Sequence, residues 1–408
     1  MRGYMENWPR ENCDFFRVDC EKNEKIKIVS CGDLDKDFFE YASNFLEAAN
    51  VVAYEMLDSG DIATLDVDFF NLAFFYRHSL ELILKAIGFQ HIKGKEEREN
   101  FLNYTFHNLS KILKYIETYI SEYIEYDKES YEWLVEFFHD MNDLDKDSDC
   151  FRYPFKIKKD GKGYYTERFF KDQTHINLIK FCDKMNSVFD ILKDYYYKNK
   201  VNNIINLLYY PTFIEEGGSY YEQSVVGYKL FLGEFYCSMN SYINVSRILY
   251  SHMILNEDKK EKLFLPYCYS CRNAIELCLK NILCEESSFS YNEALNIMKK
   301  SKHGLTFLWK QIKDDINKHT GHFNESKKIL KYAENYILKL NDFDGSADIF
   351  RYPTDKHLNC YFKKVKCFDL ENVRDYFEDV MSFLDCTISL MDEQNKCLRD
   401  SAYEYSQY

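Results

Sequence analysis

Arg77-His-Ser-Leu-Glu81-Leu-Ile-Leu-Lys85 returns as Arg272-Asn-Ala-Ile-Glu276-Leu-Cys-Leu-Lys280. Further along, Asn142-Asp143-Leu-Asp145 and Asp149-Cys-Phe-Arg152-Tyr-Pro154 return as Asn341-Asp342-Phe-Asp344 and Asp348-Ile-Phe-Arg351-Tyr-Pro353, while His107-Asn-Leu109 returns between them as His303-Gly-Leu305. Three blocks in one order, displaced by about 195 to 199 residues, read as two copies of one domain. The chain therefore carries its own two-sequence comparison, and a position kept in both copies is one that the fold or the chemistry needs.

The residues between these blocks set the class. Gly is 14 and Pro 5 in 408 residues, sparse for a turn-rich β protein, while the helix formers Leu, Lys and Glu are plentiful. The expectation is an all-α chain of two tandem antiparallel helical bundles, related by pseudo-two-fold symmetry. Boundaries follow from composition: an N-terminal extension over 1–37, copy one over 38–199, a connector with Pro211 and Gly217-Gly218 over 200–228, copy two over 229–396, and a polar tail over 397–408 expected to fray after Asp400. Periodicity predicts helices over 38–57, 67–88, 97–124, 129–141 and 175–197 in copy one. In copy two it predicts them over 229–254, 260–284, 290–318 with a break near His303, 324–340 and 370–395. The short alternating runs Phe15-Phe-Arg-Val and Ile26-Lys-Ile-Val29 predict a small hairpin in the extension.

A net charge of −14 argues against bulk electrostatic attachment to nucleic acid, so any such contact has to be local. The opening Met1-Arg-Gly-Tyr-Met lacks the apolar core of a signal peptide, and no run approaches the roughly 18 apolar residues of a membrane span. Fourteen scattered cysteines fit a reducing compartment, and a cytoplasmic location is expected. The pair Cys268 and Cys271 has the spacing of half a zinc site. Its counterparts in copy one are Ala73 and Tyr76, so these are read as core positions and no metal is expected.

Spacing of four places Arg77, Glu81 and Lys85 on one helical face, and Arg272, Glu276 and Lys280 likewise. Retention in both copies exceeds what a surface pair demands. The reading is that each glutamate binds an arginine, Glu81 with Arg152 and Glu276 with Arg351 so as to orient the loop, or else each with another arginine of its own copy. In that loop Pro fixes the backbone while Phe and Tyr anchor it in the core. His107 and His303, each just before a leucine at a helix start, are read as capping or core-edge groups that can also move protons. Arg351 is followed six residues on by His357, and an arginine with a histidine can act on a phosphodiester.

Paired helices with Arg-x-x-x-Glu-Leu-x-Leu-Lys, then His-x-Leu, then an acidic loop into Phe-Arg-Tyr-Pro, resemble the HEPN-type helical domains of bacterial defence and toxin proteins. The resemblance covers about 38–195 and 230–395. It implies dimerising bundles and a metal-independent, cofactor-free endoribonuclease site of the form Arg-x(4–6)-His at the cleft, which a duplication would assemble within one chain. Matches to that spacing are Arg351 with His357, Arg168 with His175 at the expected start of the last helix of copy one, and Arg247 with His252. Copy one has no histidine at that spacing after Arg152. The first two pairs are the candidate catalytic residues, with Arg77, Glu81, Arg152, Arg272, Glu276, His107 and His303 in orienting roles. Other members of the family are non-catalytic, so a helical sensor or scaffold binding a protein or nucleotide is the alternative. RNA, an antitoxin or a defence-complex subunit are the partners implied, and further oligomerisation stays open.

Overall fold

Nearly every residue from Leu65 to Phe89 is buried, and so is every residue from Leu263 to Asn281. A helix that is buried around its whole circumference lies at the centre of a domain rather than at its surface. The two segments are the central helices of the computed structural model, which describes residues 8–11, 14–18, 25–125, 127–200, 204–228 and 233–406. Met1-Arg-Gly-Tyr-Met, residues 201–203 of the expected connector, residues 229–232 of the helix expected from 229, and the last two residues of the tail lie outside this range.

The chain is mostly helical. After strand β1 (Lys25–Ile28) come α1 (Leu34–Ser59), α2 (Ile62–His91), α3 (Lys95–Thr105), α4 (Leu109–Ile124) and α5 (Lys128–Asp145). A β2 (Phe155–Asp160) and β3 (Gly163–Arg168) hairpin, β4 (Thr174–Asn177) and α6 (Leu178–Tyr197) complete the first half. The short α7 (Ile205–Leu208) and β5 (Gln223–Val226) lead to α8 (Tyr236–Leu255), α9 (Lys260–Asn281), α10 (Tyr291–Ser301), α11 (Leu305–Thr320), α12 (Ser326–Phe343), β6 (Lys366–Asp369) and α13 (Leu370–Ser406). Strand, five helices, strand and helix therefore recur in the same order in both halves, with the β2–β3 hairpin added in the first. No helix among the described residues is long and apolar enough to cross a membrane.

Local chemistry explains the boundaries. Gly60 closes α1 in the left-handed region at φ 59°, and the Asp61 side chain then accepts from Thr64 N to start α2. A two-residue link turns the chain back, so α1 and α2 pack as an antiparallel pair. The helix expected over 97–124 is two helices. At Phe106 the backbone turns to φ 47°, and Asn108 caps α4 by accepting from Lys111 N. Lys302 makes the same turn at φ 52° between α10 and α11. The helix expected from 175 begins at Leu178, because 174–177 is strand, and the turn at Gly161-Lys-Gly163 closes a β-hairpin.

The halves interlock. α1 packs on α9, and α2 packs on α8. Phe74 on α2 and Tyr269 on α9, which are equivalent positions in the repeat, stack at 4.7 Å between centroids. The expected N-terminal hairpin does not form: β1 pairs antiparallel with β6 near the other end of the chain, with Ile26 opposite Phe368. The expected connector is likewise structural, since β5 pairs antiparallel with β4. The strand that opens each half therefore pairs with the strand that precedes the closing helix of the other half. The N-terminal extension follows β1 to the second half, where Arg10 binds Asp379 at 3.2 Å and Phe15 sits among Phe343, Phe350, Tyr376 and Phe377. The expected tail is helical as far as it is described, since α13 continues to Ser406.

Exchange of this kind makes each half incomplete alone. A fragment ending at Lys200 leaves the pairing edges of β1 and β4 and the apolar faces of α1 and α2 without partners. Such a fragment should aggregate or self-associate on size-exclusion chromatography, and co-expression with residues 204–408 should restore a soluble complex of both pieces. A monomeric, cooperatively melting fragment would contradict this.

Candidate functional site

Arg77, Glu81 and Lys85 lie on one face of α2, as the spacing of four requires, yet that face is buried. An ionised carboxylate in such a place costs several kcal/mol unless its charge is matched and its oxygens are bonded. Glu81 meets that requirement from four sides. Arg77 Nη1 donates to Oε2 at 2.6 Å, and Lys85 Nζ donates to Oε1 at 2.7 Å. His107 Nδ1 lies 3.0 Å from Oε1, and the fourth partner, the Tyr352 hydroxyl, donates to the same oxygen at 2.8 Å. Tyr352 comes from the Phe-Arg-Tyr-Pro loop of the second half.

The arrangement recurs around Glu276. Arg272 Nη1 donates to one carboxylate oxygen, and Lys280 Nζ donates to the other at 2.6 Å. His303 Nδ1 lies 3.2 Å away, and the Tyr153 hydroxyl, from the loop of the first half, donates at 3.0 Å. Each half therefore supplies Arg, Glu, Lys and His to its own cluster and a tyrosine to the other. The ammonium groups also face the visiting rings, Lys280 at 4.1 Å from the Tyr153 centroid and Lys85 at 5.1 Å from that of Tyr352.

The acidic loop positions the tyrosines. Asp145 Oδ2 contacts Arg77 Nε at 3.0 Å, while its Oδ1 accepts from the backbone N–H groups of Asp149 and Cys150. Asp344 holds Asp348 N and Ile349 N in the same way and faces Arg272 at 3.7 Å. Ser148 and Ala347 are both left-handed, at φ 62°. Their carbonyls accept from Arg152 Nε at 2.6 Å and Arg351 Nε at 2.7 Å, and each arginine binds an aspartate three residues before it, Asp149 or Asp348, at 2.8 Å. The expected pairs Glu81 with Arg152 and Glu276 with Arg351 therefore do not form, and the alternative, another arginine of the same copy, is what the structure has. An i to i+4 arginine on the same helix already occupies each glutamate, and the loop arginines brace their own loops.

Burial by itself raises the Glu81 and Glu276 pKa values, but the lysine, histidine and arginine charges around each hold them well below the ordinary 4.5. His107 and His303 are lowered from 6.5, chiefly by burial, with the glutamate pulling in the opposite direction. Both rings are thus neutral at pH 7. With Nδ1 directed at a carboxylate, that nitrogen carries the proton. Nε2 remains as a proton acceptor on side chains 34% and 31% exposed, the open edge of an otherwise sealed cluster.

The Arg/His pairs singled out by spacing are placed differently. Arg351 is buried within its loop, whereas His357 is exposed, with its backbone N–H bound to Asp355. Arg168 ends β3 in a pair with Glu234 at 2.5 Å, and His175 lies on β4 between Gln173 and Gln223. Arg247 pairs with Glu378, and His252 with Glu55 at 2.8 Å. No contact joins the arginine to the histidine in any of these pairs among the described residues. Tyr153, Tyr352, Lys85 and Lys280 were absent from the expected site. Their retention in both copies was the available signal, and nothing in the order of residues disclosed that the tyrosines cross between halves.

Removing the carboxylate of Glu276 leaves the Lys280 ammonium without its partner and Arg272 with only the more distant Asp344. Glu276→Gln should destabilise the protein by about 3–5 kcal/mol at neutral pH, read as a loss of denaturant midpoint. Because the native-state pKa is depressed, the wild-type advantage should be complete above pH 4.5, the ordinary value, and shrink as pH falls below it. A difference between the two proteins that is small, or that grows on acidification, would refute the charge-matched geometry.

Against this geometry the comparisons are silent: the chain matches no protein-family model, no curated protein and no solved structure.

Proposed function

We propose that the chain is an intramolecular pseudo-dimer of two HEPN-like helical halves that works as a ligand-binding module, with binding at the seam where the halves meet. The observation that carries this reading is the reciprocal delivery of Tyr153 and Tyr352. Each cluster is complete only when the other half is docked, so a ligand that touches the open histidine edge bears directly on the contact between halves. A site that spans two bodies is where binding free energy and inter-domain geometry are linked. The resemblance to HEPN-type domains supports a role as a sensor or scaffold subunit of a bacterial defence assembly, with a protein or nucleotide as the partner.

One observation favours RNA cleavage as a second reading. Glu276 and His303 form a carboxylate–imidazole dyad that leaves Nε2 as a base, the orientation used in general acid–base chemistry. On this reading the base is His303 or His107, since the Arg351 and His357 side chains are not in contact. Incubation of the purified chain with total RNA, with and without EDTA, separates the two. The binding module should leave RNA intact in both samples. Metal-independent cleavage that is lost in His303→Ala, where acid–base help is worth roughly 10²- to 10⁴-fold, would establish the nuclease, and cleavage lost in His357→Ala instead would return the spacing-based site.

A further inference from the structure

The two clusters are alike in geometry but differ in what surrounds them. At the second, a cleft of about 610 Å³ opens beside His303 and Tyr153, within the range of small-molecule sites. Lys156 and Lys158 of β2, Lys280 of α9, Lys299 of α10 and Lys302 of the turn after it all line this cleft. The equivalent places around the first cluster carry different side chains. Asn103 stands for Lys299 and Phe106 for Lys302, while Asp355 and His357 stand for Lys156 and Lys158, with Lys356 between them. Only Lys85, the counterpart of Lys280, is shared. A duplicated site has kept its internal bonds twice and gained a cationic lining once.

That lining is available for a ligand. Lys280 is committed to Glu276 and Lys158 to Glu167, but the Lys156 ammonium meets only the Phe169 ring among the described residues, at 5.2 Å. The ammonium groups of Lys299 and Lys302 have no ionic or hydrogen-bonding partner among the described residues, and both residues are exposed. Lys302 occupies the left-handed turn at φ 52° that holds Phe106 in the first half, so the turn belongs to the fold and the ammonium is an addition to it. Of the two carboxylates in the cleft, Asp149 is bound to Arg152 and Asp147 remains. Three unpaired cations against one carboxylate form a local positive site on a chain of net charge −14. Converging ammonium groups in a concave site select phosphate, a compact anion with several acceptor oxygens.

We propose that this cleft binds a phosphorylated small molecule of nucleotide size, its phosphates held by Lys156, Lys299 and Lys302 and its far end near His303 and Tyr153. The inference rests on the binding-module reading and names its ligand class. The cleft lies between the first half's hairpin and the second half's α10, so occupancy joins the halves at the same seam as the exchanged tyrosine.

Titration calorimetry on the full chain with ATP, inorganic pyrophosphate and inorganic phosphate tests the assignment. ATP should bind, more weakly as salt rises. The double variant Lys299→Glu, Lys302→Glu changes exposed positions only and should weaken that binding about tenfold or more. Lys327→Glu, Lys331→Glu on α12 makes the same change in net charge outside the cleft, and should leave binding within about twofold. Three results overturn the proposal: no ATP binding, pyrophosphate binding without ATP binding, or equal losses in the two double variants. RNA cleavage by the wild-type chain in parallel samples would instead overturn the reading beneath it. Absent or variant-insensitive binding by a chain that leaves RNA intact refutes the phosphate site alone.

Discussion

The structure depends on two carboxylates held ionised in the core. Neither Glu81 nor Glu276 has exposed surface, and each would be an untenable charge without its ring of partners. Satisfying them determines much else. The arginine one turn before each glutamate reaches past it to the carbonyl of His107 or His303, which ties the start of α4 or α11 to the central helix. The same arginine faces Asp145 or Asp344, which holds the acidic loop in its turn. The loop in turn aims a tyrosine across the seam. Removing one carboxylate would therefore loosen a helix start, a loop and an interface together.

Reciprocity runs through the structure at two scales. Side chains exchange through Tyr153 and Tyr352, and backbone exchanges through the β1–β6 and β4–β5 pairs. Strands of four residues are marginal alone, and here each pair joins a strand of one half to a strand of the other, beside a long helix. Around the clusters reciprocity ends. Constraint from the buried charges acts on both copies alike, whereas the rim differs: Lys299 and Lys302 stand where the first copy has Asn103 and Phe106.

The central helices, their Arg/Glu/Lys faces and the loops that follow were legible in the sequence. Helical periodicity and i to i+4 spacing are local properties, and the repeat marked which positions matter. Helix ends were less legible: α3 and α4 were merged because Phe106, at φ 47°, carries no glycine or proline to announce the break. The choice between two arginines for Glu81 was left open for a related reason. A buried glutamate needs a cation, but the order of residues does not say whether the arginine on its own helix or the one in the loop arrives first.

What the sequence determined by itself is the all-helical class, the recurrence of one motif set, and the residues that would carry charge in the core, because these follow from composition and short-range spacing. What only the tertiary structure decided is the pairing across the seam. Phe15 to Val29 read as a hairpin since its apolar alternation was genuine, but a strand bonds whichever edge the packed helices bring within reach, and for β1 that edge is β6, more than three hundred residues away. The same holds for Tyr153 and Tyr352. Their conservation between copies was visible in one dimension, while their destination depended on where two helical bodies meet, a property of packed surfaces that no local pattern encodes.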